Sequence, residues 1–199
     1  MARKVKNLLG LALLSYLRQD PKHPYELART LKDNGDDRAV KYSHSSVYQV
    51  VAQLAGAGFI APEGTSREGA LPERTVYQLT EAGQAELHDW LHELIAVPNF
   101  EYPHLAAGLS FMAALPPSEL LQLLDTRHGA LLALRQELAE LIHTATIVNG
   151  VDPLFLADED YRLAMVESEI TYIGHLITRI NQPETGYGRV WREFHQEKS

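Results

Sequence analysis

Three stretches of helical apolar spacing over residues 7–58, two short strand-like stretches over 59–79 and a long helical remainder predict a mainly α chain with a small β-hairpin wing. Three helices followed by a hairpin are the order of a winged helix-turn-helix, whose third helix can enter the DNA major groove. Behind it, Leu163, Val166, Ile170, Ile173, Ile177 and Ile180 recur at spacings of three and four, the seam of a coiled coil and so of a C-terminal helical dimerisation domain. A buried core helix could show the same run. The expected division is a winged helix-turn-helix DNA-binding domain over residues 1–97 and a helical dimerisation and effector-binding domain over 98–199.

Composition narrows the classes. The chain has 199 residues, enough for one large domain or two modest ones, and no cysteine, so neither disulfides nor thiolate metal sites are available. The apolar run at residues 8–14 is too short to span a membrane and no small-residue cleavage site follows it, which predicts a cytoplasmic protein without a membrane partner. Net charge is −8, yet residues 1–80 carry 11 Lys/Arg against 8 Asp/Glu while residues 81–199 carry 7 against 18. Such asymmetry suggests two modules with different partners.

Taken in order, residues 1–6, with Arg3, Lys4 and Lys6, read as a mobile arm. Asn7 can cap a helix to Leu17, and residues 20–24 form a turn whose Pro24 suits the first position of the next helix. That helix runs from Tyr25 to Leu31 or slightly beyond. After a polar loop over 33–37, Ser43 or Ser45 can cap a third helix with Val47, Val50, Val51 and Leu54 on its apolar face. Gly58 is placed to end it in a left-handed conformation. Its other face carries Ser45, Ser46, Gln49, Ala52, Gln53 and Gly56, small and uncharged, where a solvated face would hold Lys and Glu. Gln pairs with adenine edges and Ser with any base, although an ordinary packed helix could also look like this. A strand over 59–63, broken by Pro62, a loop over 64–72 with Arg67, and an alternating strand over 73–79 follow. Thr80 caps a helix to about Val97. Beyond a boundary at 96–102, helices are expected at 103–115, 118–148 and from Asp158 to Pro183, with a break at 149–153. The tail, with Tyr187, Val190, Trp191 and Phe194, is apolar enough to dock as a lid, a dimer contact or a core patch.

The segments Leu-Leu-Gly-Leu-Ala-Leu-Leu (8–14), His-Pro-Tyr-Glu-Leu (23–27), Ser-x-x-x-Val-Tyr (43–48), Gly-Phe-Ile (58–60) and Arg-x-x-Tyr-x-Leu-Thr-x-x-Gly (74–83) together resemble the PadR-type winged-helix transcriptional regulators. The length resembles the longer branch, related to a virulence activator, with a C-terminal domain of several helices. The resemblance implies a dimeric, mostly repressing binder of double-stranded DNA that often senses a small molecule. On a winged-helix fold the residues expected to contact DNA are Tyr25, Ser43, His44, Ser45, Ser46, Tyr48, Gln49, Gln53, Arg67 and Arg74. This chain departs in one respect. The family's third helix usually carries basic residues after its Tyr, whereas residues 42–66 contain no Lys or Arg.

Trp90, Tyr102, Phe111, Trp191 and Phe194 could line a pocket for a small aromatic or phenolic effector, though each also suits a core. His88 and His92, four apart on one helix, are a lesser candidate for a metal-binding pair, a spacing equally common on solvated faces. Neither a Gly-x-Ser-x-Gly elbow, a phosphate loop, a dinucleotide fingerprint nor a His-Glu-x-x-His pattern occurs, so no enzyme activity or cofactor is expected. Three functions stay open: a ligand-responsive repressor binding an inverted repeat as a homodimer, a metal-responsive regulator, and a protein-interaction module on a winged-helix scaffold.

Overall fold

A computed structural model describes residues 4–66, 74–182, 187 and 191. The chain divides into two compact units, Met1–Phe100 and Glu101–Ser199. The first begins with α1 (Leu8–Leu17), where the Asn7 side chain accepts the Leu9 N–H at 3.0 Å. Helix α2 (Pro24–Asp33) has Pro24 at its start and His23 as N-cap. Helix α3 (His44–Gly56) is capped by Ser43, and Gly58 follows at φ +80°, the left-handed region that glycine enters without strain. Strands β1 (Ile60–Ser66) and β2 (Arg74–Leu79) pair antiparallel, and α4 (Glu81–Ala96) opens at a Thr80 cap.

Leu9, Leu13, Leu14, Leu27, Leu31, Val47 and Leu54 are fully covered and form the centre of this unit. Each such side chain contributes about 1.5–3 kcal/mol relative to exposure. On β2, Tyr77 and Leu79 pack on that core while Gln78 faces out, as the alternation predicted. Two expectations for this unit need correction. Pro62 does not break β1, which continues to Ser66. The pairing shifts between Pro62 and Gly64, and a bulge on a strand with only one neighbour tolerates the missing N–H. Nor is the whole N-terminal arm loose: Val5 is buried and the Lys4 ammonium stands 5.8 Å from the centre of the Phe59 ring. Arg3 lies outside the described residues.

In the second unit, the helix expected at 103–115 is two pieces, α5 (His104–Ser110) and a 3-10 turn, Met112–Ala114. Phe111 leaves the helical region between them, and its N–H bonds the Gly108 carbonyl three residues back. Helix α6 (Pro117–His143) runs into a π-helical turn, Thr144–Val148, and Gly150 at φ +66° reverses the chain. A 3-10 turn, Pro153–Leu156, then leads into α7 (Ala157–Asn181).

The α6–α7 hairpin is the core of this unit. Leu124, Leu131 and Leu138 of α6 are buried at seven-residue intervals, as are Val166, Ile173 and Ile180 of α7. Leu163, Ile170 and Ile177 pack beside them, half-buried. Arg127 of α6 and Glu169 of α7 bridge the two helices at 2.6 Å. The stripe Leu163–Val166–Ile170–Ile173–Ile177–Ile180 was expected to join two chains. Within the single chain that stripe packs against α6. Trp191 of the tail is a core residue, its indole N–H donating to the Leu115 carbonyl at 2.9 Å. Val190 and Phe194 lie outside the described residues.

Candidate nucleic-acid interface

Helix α3 owes its direction to contacts at both ends. At its start Ser43 and Ser46 form a reciprocal capping box: the Ser43 hydroxyl accepts the Ser46 N–H at 3.2 Å, and the Ser46 hydroxyl accepts the Ser43 N–H at 2.8 Å. The Ser46 hydroxyl also donates to the Ser43 carbonyl at 2.8 Å. Both side chains are thereby engaged in holding the helix, and Ser45 lies 3.1 Å from the Ser43 hydroxyl. Of the residues assigned to DNA contact, His44, Ser45, Tyr48, Gln49 and Gln53 remain on the exposed side, with Ala52 and Gly56 between them. Val47, Val50, Val51 and Leu54 lie on the buried side, so the two faces separate as the spacing predicted.

The loop that delivers the chain to α3 is tied to α1 by one phenol. The Tyr16 hydroxyl donates to the Asp36 carboxylate and accepts from the Asn34 amide at 2.8 Å. Burial, and then the bond to Asp36, push Tyr16 up to about 12.

An aromatic cluster joins the starts of α2 and α3. The His44 ring lies 5.1 Å from Tyr48 and 6.1 Å from Tyr25, and His23 approaches Tyr48 at 6.3 Å. Tyr25 and Tyr48 are 51% and 40% exposed, so the cluster borders the outward face of α3 rather than the core. The capping role of His23 escaped the sequence reading, which placed it in a turn and in the His-Pro-Tyr-Glu-Leu segment. Its signal was present: a polar residue before Pro24 with Glu26 three positions on. In the structure His23 Nδ1 accepts the Tyr25 N–H at 3.1 Å and the Glu26 carboxylate accepts the His23 N–H at 2.7 Å. Also unforeseen was the pairing of Lys22 with Tyr77, N–H to carbonyl in both directions at 3.0 and 3.1 Å. It ties the turn before α2 to the inner strand of the wing. Arg67 and the side chain of Arg74 lie outside the described residues.

The aromatic effector candidates are divided between the two units. Trp90 of α4 is buried beside Gly10 of α1, where an added Cβ would stand 3.5 Å from the indole, whereas Trp191 is buried in the second unit. Tyr102 and Phe111 are strongly exposed, and Phe194 lies outside the described residues. The His88 and His92 rings face each other on α4 at 4.0 Å, with Asp89 at 3.7 Å from His88. Among the described residues no group of three or more His, Cys, Asp or Glu is placed to hold a metal ion. Among them, too, no helix is long and apolar enough to cross a membrane.

Residues 13–89 match the Transcriptional regulator PadR-like family. The negative transcriptional regulator PadR of Bacillus subtilis (strain 168) is 32% identical over 93 residues, 46% of this chain and 50% of that protein. The match thus spans about half the length of the curated relative. The crystal structure of B. subtilis PadR with operator DNA matches at a TM-score of 0.66 and 22% identity, over 88% of this chain and all of that one. Its structure with p-coumaric acid gives 0.71 and 20%, over the same shares. The Vibrio cholerae virulence activator AphA gives 0.63 and 17%, over 87% of this chain and 98% of that one. At these identities the structural likeness is one of fold, a winged helix-turn-helix followed by helices.

Proposed function

We propose that this chain, whose residues 13–89 form a PadR-like domain, is a DNA-binding transcriptional regulator that represses from an inverted-repeat operator as a homodimer. The observation that carries the reading is the outward face of α3, where His44, Ser45, Tyr48, Gln49 and Gln53 stand exposed, without Lys, Arg, Asp or Glu among them, on a helix fixed at its start by the Ser43–Ser46 box. An amide pair four residues apart can address adenine edges on successive base pairs, and small residues between them admit close approach to the groove. Likeness to a negative regulator solved both with operator DNA and with p-coumaric acid supports repression and release by a small phenolic or aromatic acid.

Homodimerisation follows from the low charge of a single reading head. Two heads on one assembly engage half-sites about 34 Å apart, and the second contact is then intramolecular. Because the stripe inside the α6–α7 hairpin is already covered, the joining surface is sought on the hairpin's outside. There Tyr161, Met165 and Tyr172 line one side of α7 and Leu123 and Leu134 one side of α6, all substantially exposed. The division of labour is therefore DNA reading by residues 1–97 and pairing and sensing by 98–199.

The test is selection of binding duplexes from a random pool by the full chain. A palindromic consensus is expected, and Gln49→Ala should weaken binding by about 1–3 kcal/mol and relax one base position in each half-site. Recovery of no duplex, or a Gln49→Ala protein with unaltered sequence preference, would remove α3 as the reading helix.

A further inference from the structure

Helix α4 turns one side to the core and the other to solvent. Gly83, Leu87 and Trp90 are buried, which fixes the rotation of the helix, and His88 and His92 stand on the exposed side. Four residues apart, the two side chains rise from successive turns of one face. Their rings face each other with centres 4.0 Å apart and planes inclined by 34°. Two imidazoles that share one ion at about 2.1 Å from each nitrogen, at right angles, have ring centres roughly 4.5 Å apart. The pair therefore needs only a slight splay to hold an ion between its outer nitrogens.

Two further features favour a cation there. The Asp89 carboxylate stands 3.7 Å from His88 Nδ1. A carboxylate on that side holds the ring proton at Nδ1 and leaves Nε2 to a metal, the usual arrangement behind a ligating histidine. The fixed charge along the helix is also of one sign. Glu81, Glu86, Asp89 and Glu93 all belong to α4, and the sequence has no lysine or arginine between Arg74 and Arg127. The helix thus carries no permanent cation to repel an arriving ion.

We propose that His88 and His92 bind a divalent late transition metal ion, copper(II), nickel(II) or zinc, at an open surface site. Imidazole suits these ions and not magnesium or calcium, which take oxygen ligands. The chain supplies two ligands and solvent fills the remaining positions, so the ion is exchangeable rather than structural. The two rings meet on one face only while α4 is helical, and ion binding therefore stabilises the folded N-terminal unit. None of this depends on α3 reading DNA.

In the experiment the full chain, without a histidine tag and stripped with a chelator, is titrated with copper(II), nickel(II), zinc and magnesium salts by calorimetry. One tightly held ion per chain is expected, with copper the strongest and magnesium not bound. Once the first ring holds the ion, the second binds it intramolecularly. His88→Ala and His92→Ala should therefore each weaken binding by about a hundredfold. Asp89→Asn should weaken it by a smaller factor. Circular dichroism checks that the variants keep their helices. Substoichiometric copper(II) should broaden the amide signals of residues 84–96 before any others. Zinc should raise the thermal midpoint of wild type and leave that of either histidine variant unchanged. Binding that survives both histidine substitutions, or broadening centred on another histidine, overturns the site, as does the absence of any metal-dependent heat.

Discussion

Tyr16 carries more of the interface than its distance in sequence suggests. Its phenol is the tie between α1 and the loop entering α3, bonded to Asp36 and Asn34. Hydrogen bonds to charged groups are worth about 1.5–3 kcal/mol, and partial exposure lowers that. Tyr16→Phe should therefore destabilise the N-terminal unit by about 1–2 kcal/mol at neutral pH. The phenol ionises more reluctantly in the fold, its value raised from 10.0 to about 12, so the folded chain holds the proton longer than the unfolded one. Stability from Tyr16 is thus complete below about pH 10 and declines as pH climbs toward about 12. Denaturation curves of wild type and Tyr16→Phe should converge over that interval, and a constant gap would show that the phenol is not what is being titrated. Little of this was legible. Asn7, Ser43 and Thr80 could be recognised as caps because capping is local, one side chain serving a backbone amide two or three residues on. Tyr16 and Asp36 lie 20 residues apart and only tertiary packing brings them together. Ser46 on the same helix has a capping role the sequence reading did not assign it, its hydroxyl bonded to the Ser43 N–H and carbonyl.

Among elements, the junction of α3, the wing and α4 is closely packed at Gly83. The Thr80 hydroxyl donates toward the Gly58 and Phe59 carbonyls at 2.8 and 3.0 Å and accepts the Gly83 N–H at 3.0 Å. The Thr80 N–H bonds the Phe59 carbonyl at 3.1 Å. Gly83 is required for this because a Cβ there would collide with the Phe59 carbonyl oxygen and stand 2.8 Å from Leu79 Cδ1. Gly83→Ala should cost about 2–3 kcal/mol, since the obstacle is backbone and cannot swing aside. Urea unfolding followed by exchange of the α1 and α3 core amides would measure it. A change within about 0.5 kcal/mol would mean that α4 can shift outward freely. The Thr-x-x-Gly pattern was visible in the sequence, and with it the start of α4. The reason for the glycine was not, because the atom it makes room for belongs to β1's approach 24 residues earlier. Pro62 shows the opposite failure. A local rule was applied too strictly to a strand with one open edge.

Across the whole molecule, the coiled-coil spacing of residues 163–180 marks a packing stripe, but spacing does not say which helix lies opposite. The matching leucines, Leu124, Leu131 and Leu138, were also in view, each seven apart. A short connection made the intrachain hairpin the cheaper closure, since the two helices need no second molecule to meet. Ile173 has no exposed surface in the single chain. An aspartate there would be buried without a partner, costing on the order of 4 kcal/mol. Ile173→Asp should abolish the cooperative transition of residues 101–199 while amide protection in α1 and α3 persists. A variant that kept a protected hairpin and only lost self-association would restore the stripe as an interchain seam. The same hairpin sets a timetable during synthesis. Helix α6 ends at His143 and its cover is complete only near Ile180, roughly 40 residues later, so the leucine row waits about 2–8 seconds on the ribosome before α7 arrives. Two chains growing side by side on one message each present that bare row in the interval, and α7 of either can close on α6 of the other.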